Sequence, residues 1–514
     1  MAADLILKNA NVITMDPGCP AAELVAIKDN RILLVAGNEE LEQVKGAKTK
    51  IIDCQGKTVV PGFNDAHCHI FSFIRKLHSL DLSPSSVSSI ADIKAAIRRQ
   101  AQSLPPGNWL TGADYNEFYL AEKRHPNRWD IDEAAPQHPV VLAHRSLHAC
   151  VLNSLALSLA GITGETPEPP GGLIDRDLDT GEPSGLLLEM LGYIREKVLP
   201  PLSEDELAEG IASANRHYLS MGITSLQEAS ATNDLARWQT LQRFKDSGKL
   251  ESRVSMMFGI EALSQFQEAG LALGSGDSQL RLGGVKMMLN ETTGQLQPPQ
   301  PELNRQALGV HQAGFQLAIH CIEQSTVEAA IAALEHISSQ TPLAGRRHRL
   351  EHCSECPPQL LKRLIELKAM VVTQPPFIYY SGERYLATLP ASQLRWLYRI
   401  KSLLGGDLIV AGSSDSPVVP DNPLVGIYSA VTRRAESGQE LLPQERISSK
   451  QALAMYTINA AYASFEEGVK GSIAQGKLAD MVVLSADPIK SPPEQIKDIQ
   501  VEMTIIDGKV AWEV

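Results

Sequence analysis

The stretch Thr58-Val59-Val60-Pro61-Gly62-Phe63-Asn64-Asp65-Ala66-His67-Cys68-His69 carries an apolar run into a His-x-His pair. Successive side chains of a strand point to opposite faces, so His67 and His69 face the same way. Two imidazoles side by side at a strand end can grip one cation, and histidine is a good ligand for zinc and its neighbours. A lone His-x-His arises by chance on many surface strands, so the rest of the chain decides. His320, His352 and Asp415 each follow a short apolar run, and Lys286 lies within one. From Lys286 to His320 is 34 residues, from His320 to His352 is 32, and from His352 to Asp415 is 63. Those intervals correspond to one, one and two strand–helix units.

Candidate strands lie at 59–64, 222–228, 253–260, 283–289, 315–320, 347–352, 369–373 and 408–413, with Ala/Leu/Glu-rich helical stretches such as Ser325 to Ser338 and Pro357 to Leu367 between them. Eight strands separated by helices predict an α/β fold, a (β/α)8 TIM-like barrel, whose active sites form at the C-terminal strand ends. The polar residues above fall at those ends. The first ~60 residues and the last ~50 are rich in short strands and turns, which predicts one small β-sandwich domain built from both termini. Residues 71–205 are too long for one loop and carry their own helices, at 91–103 and 150–160, so they read as an inserted cap. The expected division is 1–58 and 466–514 for the sandwich, 59–70 and 206–465 for the barrel, and 71–205 for the insertion. Pro298-Pro299-Gln300-Pro301 reads as a stiff linker in a barrel loop.

Composition narrows the function. A net charge of −13 over 514 residues argues against a nucleic-acid partner, which calls for a basic patch or stripe. No apolar run reaches the ~18 residues of a membrane span, and no secretory signal is visible at the N-terminus. Seven scattered cysteines form no disulfide framework. Cys353 and Cys356 make a single C-x-x-C with no second pair, read as incidental, and Cys68, Cys321 and Cys353 should turn from the site toward the helices. The expected setting is cytoplasmic, with a small-molecule substrate, no nucleic acid and no membrane; the oligomeric state is left open, a homodimer being one option.

Lys286 stands in Gly283-Gly284-Val285-Lys286-Met287-Met288-Leu289, an almost wholly apolar strand. Burial disfavours the ammonium and lowers its pKa. A neutral amine near a divalent cation can add carbon dioxide to give a carbamate able to bridge two metals. The plainer reading pairs the lysine with Glu291 or Glu228. Taken singly, His320 would read as a core histidine and Asp415 as a turn or helix cap.

In combination, the motifs resemble those of the amidohydrolase superfamily, specifically amidohydrolase family 3, which includes N-substituted formamide deformylases. The resemblance rests on Pro61 to His69, Gly284-Val285-Lys286, Ala318-Ile319-His320, Leu350-Glu351-His352, Gly412-Ser413-Ser414-Asp415-Ser416-Pro417 and the tail Gly471 to Leu484. Within the insertion, His148 to Leu157 and Thr180 to Gly185 are also family-like. The resemblance implies His67 and His69 on one metal, His320 and His352 on a second, a carbamylated Lys286 between them, and Asp415 as metal ligand and general base. It implies two zinc ions per chain, with iron, manganese or nickel as alternatives, and hydrolysis of a non-peptide C–N bond (amide, N-formyl, cyclic amide or amidine) by a metal-bound hydroxide. Two departures stand out. Asn290-Glu291 replaces the usual Asp-Gly after the strand lysine, and Glu228 stands where aspartate is common. Arg145, His148 and Glu291 are weaker candidates for substrate contact, with Asp114-Tyr115 beside them. The competing readings are a mononuclear deaminase of a small heterocycle, disfavoured by Lys286, and a non-catalytic metal-binding regulator, disfavoured by the intact ligand set.

Overall fold

Gly62 divides the opening apolar run into two strands that belong to different sheets. The computed structural model describes residues 1–514, and in it Thr58–Pro61 pairs antiparallel with Met481–Leu484, whereas Phe63–Cys68 pairs parallel with Ile223–Glu228. The expected single strand at 59–64 is therefore corrected: its first half is sandwich, and the barrel strand begins at Phe63. The reason is steric. A Cβ on Gly62 would lie 2.1 Å from Thr224 Oγ1, so only glycine lets the chain pass this close to the second barrel strand while changing sheets.

The chain folds into two compact units. The first comprises Met1–His69, Ile211–Met288 and Pro301–Val514. Its barrel sheet has the spatial order Phe63–Cys68, Ile223–Glu228, Arg253–Gly259, Leu280–Met288, Leu317–Cys321, Arg349–His352, Met370–Thr373 and Val410–Gly412, every adjacent pair parallel. Order in space follows order in sequence, as the alternating pattern predicted. The seam between the first and last strands closes just beyond them: Asp415 N donates to His67 O (2.8 Å) and His69 N donates to Ser416 O (2.7 Å). The two termini build a four-stranded sheet, Arg31–Ala36, Leu24–Lys28, Leu5–Lys8 and Lys50–Asp53, and a six-stranded sheet in which Met481–Leu484 lies between Thr58–Pro61 and Val501–Ile506. Leu5, Leu7, Val25 and Ile27 of the first share a core with Val12, Val59, Met481, Val483 and Ile505 of the second, which makes the pair a sandwich.

The second unit, Ile70–Gly210 with Leu289–Gln300, is built on a six-stranded mixed sheet. Alternation along Val140–His144 divides its core. Val140 and Leu142 pack toward the helix Ile90–Gln102, while Val141 and Ala143 pack toward Ser154–Leu159 and Leu191–Lys197. The helix expected at 150–160 is corrected. Ala149–Leu152 is a strand, and the helix starts only after Asn153, whose side chain accepts from Ala156 N. The proline segment near 298 lies, as expected, in the loop between the barrel strand Leu280–Met288 and the helix Gln300–Gln312, and Leu289–Gln300 of that loop belongs to this second unit.

Candidate metal centre

Six residues at the C-terminal ends of barrel strands converge. His67, fully buried, is the penultimate residue of its strand, and its Nε2 lies 3.2 Å from Lys286 Nζ and 3.4 Å from Asp415 Oδ1. His69 Nε2 lies 3.0 Å from the same Asp415 oxygen. Donor atoms of His67, His69 and Asp415 all fall within 4.8 Å of one another. The His352 ring centroid is 5.0 Å from that of His67 and 4.5 Å from that of His320, which completes the cluster. His352 and Asp415 both leave their strands in the left-handed backbone region, φ 67° and 64°. Non-glycine residues held there cost energy and concentrate at functional sites.

The distal nitrogens of three histidines are already engaged. His67 Nδ1 meets Glu351 Oε2, His69 Nδ1 lies 2.9 Å from Ser230 Oγ, and His352 Nδ1 lies 2.7 Å from Gln374 Oε1. Such outer contacts fix ring orientation and tautomer and leave Nε2 for a metal. Glu351 is itself held by Arg349, whose Nε and Nη2 both donate to its carboxylate, while Nη2 also donates to Ala66 O (2.6 Å). Asp65 accepts from Ser414 N (3.0 Å) and His67 N (3.2 Å), pinning the two loop ends to each other. Glu228 accepts from Ser230 N (3.0 Å) and Asn233 Nδ2 (3.1 Å), shaping the loop that holds His69.

The charge states suit ligation. Burial, then the neighbouring Lys286 charge, keeps His67 well below its ordinary pKa, and burial brings His352 down to about 4. Both rings are therefore neutral at pH 7. Burial opposes ionisation of Asp415, but the His69 contact and the surrounding imidazoles outweigh it and hold the carboxyl below its usual range. Burial lowers Lys286 to about 8, only partly offset by Glu351 and Asp415. A larger share of its amine is then neutral at pH 7 than in a free lysine. The lysine Nζ lies 3.2 Å from His67 Nε2, and neither Glu291 nor Glu228 is an ion-pair partner of it. Nitrogen and carboxylate donors, neutral imidazoles with their far sides tied, and an available amine together fit a divalent cation.

Arg349, Glu351, Gln374 and Ser230 were not singled out from sequence. Arg349-x-Glu351 carried a signal: two opposite charges at i and i+2 in a fully buried strand must face each other's surroundings and need partners. Arg145, His148 and Glu291 all lie in the second unit, as do Asp114 and Tyr115. There His148 Nδ1 lies 3.0 Å from the Glu189 carboxylate, Asp114 pairs with Lys76, and Tyr115 Oη lies 3.0 Å from His125 Nδ1. Cys68, Cys321, Cys353 and Cys356 are buried free thiols.

An eight-stranded parallel barrel with a histidine- and carboxylate-lined strand-end site is the architecture of a barrel hydrolase. The chain belongs to the amidohydrolase family, whose model matches residues 50–511, and is a hydrolase of carbon–nitrogen bonds. It is 29% identical to N-substituted formamide deformylase of Arthrobacter pascens, over 99% of this chain and 98% of that protein. It is 30% identical to Protein LONG AFTER FAR-RED 3 of Arabidopsis thaliana, over 99% of this chain and 91% of that one. Among solved structures, an uncharacterized metal-dependent hydrolase from Pyrococcus furiosus matches with a TM-score of 0.73 at 25% identity, covering 95% of this chain and 100% of that one.

Proposed function

We propose that this chain hydrolyses a non-peptide C–N bond in a small amide, N-formyl, cyclic amide or amidine substrate, using divalent cations held by His67, His69, Lys286, His320, His352 and Asp415. The observation that carries the reading is the convergence of His67, His69 and Asp415 donor atoms within 4.8 Å beside the Lys286 amine. His67 and His69 would hold one cation, His320 and His352 a second, and Lys286 would join them as a carbamate. That carbamate forms when the neutral amine attacks carbon dioxide and releases a proton to solvent. Two zinc ions are the expected complement, with iron, manganese or nickel suited to the same donors. Bound cations supply Lewis acidity, which acidifies water and polarises a carbonyl.

Asp415 supplies the proton transfer. Its carboxylate takes a proton from the attacking water and returns it to the leaving nitrogen as the C–O bond forms and the C–N bond breaks. The carbonyl substrate yields a carboxylic acid and an amine. Full-length similarity to a formamide deformylase makes N-substituted formamides the first substrates to test, and Arg145, His148 and Glu291 stand as candidate contacts for the substituent. Metal analysis should find two equivalents per chain, and the metal-loaded protein should release formate from N-substituted formamides or acid from N-acyl amines. A chain that retains no divalent cation after metal loading overturns the reading. One equivalent with ammonia released from a heterocycle would replace it by the mononuclear deaminase.

A further inference from the structure

A cavity of about 240 Å³ lies in the opposite, N-terminal half of the barrel. Its lining includes Arg349, which begins its strand, and Gln316, which precedes Leu317–Cys321. The helix Ile458–Ala463 borders it, offering Ala460 O to Gln227 Nε2 (2.7 Å) and Ala463 O to Gln316 Nε2 (3.2 Å). Barrel interiors are ordinarily filled by layers of branched side chains. Here Ser255, Gly283 and Gly284 leave the space open, and glycine is required at 284, where a Cβ would come within 2.7 Å of Gln316 O.

The lining contains two guanidinium groups and no carboxylate. Arg281 makes neither an ion pair nor a side-chain hydrogen bond. Glu466, the acid that feels its charge, is taken by Lys470 Nζ at 2.8 Å. Arg349, 1% exposed, has five N–H donors. Glu351 and Ala66 O occupy three, and Gln227 Oε1 takes one of the two on Nη1 (2.6 Å). One buried donor is left uncommitted. Met257 and Phe465 add apolar wall.

We propose that this cavity is a binding site for a small monocarboxylate, its oxygens taken by Arg281 with the spare Arg349 N–H and the Ser255 hydroxyl, and its short carbon chain lying against Met257 and Phe465. The volume equals that of ~8 liquid waters, enough for a carboxylate of two to four carbons. None of the six candidate metal-centre residues lines the cavity, so the site stands apart from the proposed hydrolysis.

Calorimetric titration of the metal-loaded protein with sodium butyrate, at ionic strength held constant with sodium chloride, tests this. Saturable one-site binding is expected, weakened at least tenfold in Arg281→Gln and partly recovered in Arg281→Lys. A carboxylate captured by the metal centre instead would titrate equally in wild type and Arg281→Gln, and that outcome overturns the assignment. Ser255→Leu keeps Arg281 and fills the space, so it should abolish binding if Arg281→Gln does not fold; unchanged binding in Ser255→Leu also overturns it. Inorganic phosphate run in parallel should bind more weakly than butyrate. Equal or tighter phosphate binding means that charge alone is read, and the monocarboxylate is then wrong.

Discussion

Removing the Glu351 charge would release His67 Nδ1 and leave Arg349 without its counter-charge in a fully buried strand. Loss of such an outer partner typically weakens metal affinity 10–100-fold. A buried ion left unpaired costs about 3–5 kcal/mol. Glu351→Gln should therefore lose metal at free concentrations that saturate the wild type, read by metal titration, and unfold at lower urea. Asp415→Asn should lower kcat by about 10²–10⁴ if Asp415 is the proton carrier; a variant that keeps near-wild-type turnover would remove it from that role. Residue identity was the most readable layer from sequence. His67, His69, Lys286, His320, His352 and Asp415 stand out as candidates because ligand-type side chains recur in phase with a strand period, and the fold places their side chains near one another. Ser230 and Gln374 were not found, because neutral side chains in loops carry no periodic signal and their role depends on which ring nitrogen they face.

Strand positions followed the hydrophobic pattern closely, but the boundary at Gly62 did not. An unbroken apolar run does not reveal which sheet each half joins; that depends on Met481–Leu484, more than 400 residues away. Gly62→Ala should destabilise by about 1–3 kcal/mol, since the new methyl must displace the Thr224 side chain. Equilibrium denaturation would check it. Between two neighbouring barrel strands, His348 Nδ1 accepts from Leu317 N (3.0 Å) and Nε2 lies 2.8 Å from His311 Nδ1. Burial, then the charges of His311 and Arg346, lowers the His348 pKa from 6.5 to about 3. The folded state thus binds fewer protons than the unfolded chain between pH 6.5 and 3. Stability contributed by neutral His348 is fully present above pH 6.5 and is lost as pH falls toward 3. His348→Gln should flatten the fall in stability over that window; an unchanged slope would mean that His348 stays uncharged in both states or is charged in both.

At the scale of the molecule, Arg253 fastens the barrel to the sandwich. Its Nε and Nη2 donate to Asp480 at 2.6 and 2.9 Å, and Nη2 also reaches Asp507 at 2.5 Å. Arg253→Met would strand the buried Asp480 and should cost about 3–5 kcal/mol, measured by denaturation. That linkage was invisible in sequence, because an arginine more than 200 residues from either of its two acidic partners shows no pattern until the chain is folded. The barrel seam has a further consequence for biosynthesis. His67 O and His69 N wait for Asp415 and Ser416, so the earliest donor pair cannot be locked until some 350 more residues have left the ribosome. Nascent chains arrested before that point should neither retain metal nor resist protease at the first barrel strand, and competence should arrive in one step once Ser416 has emerged rather than accrue with length.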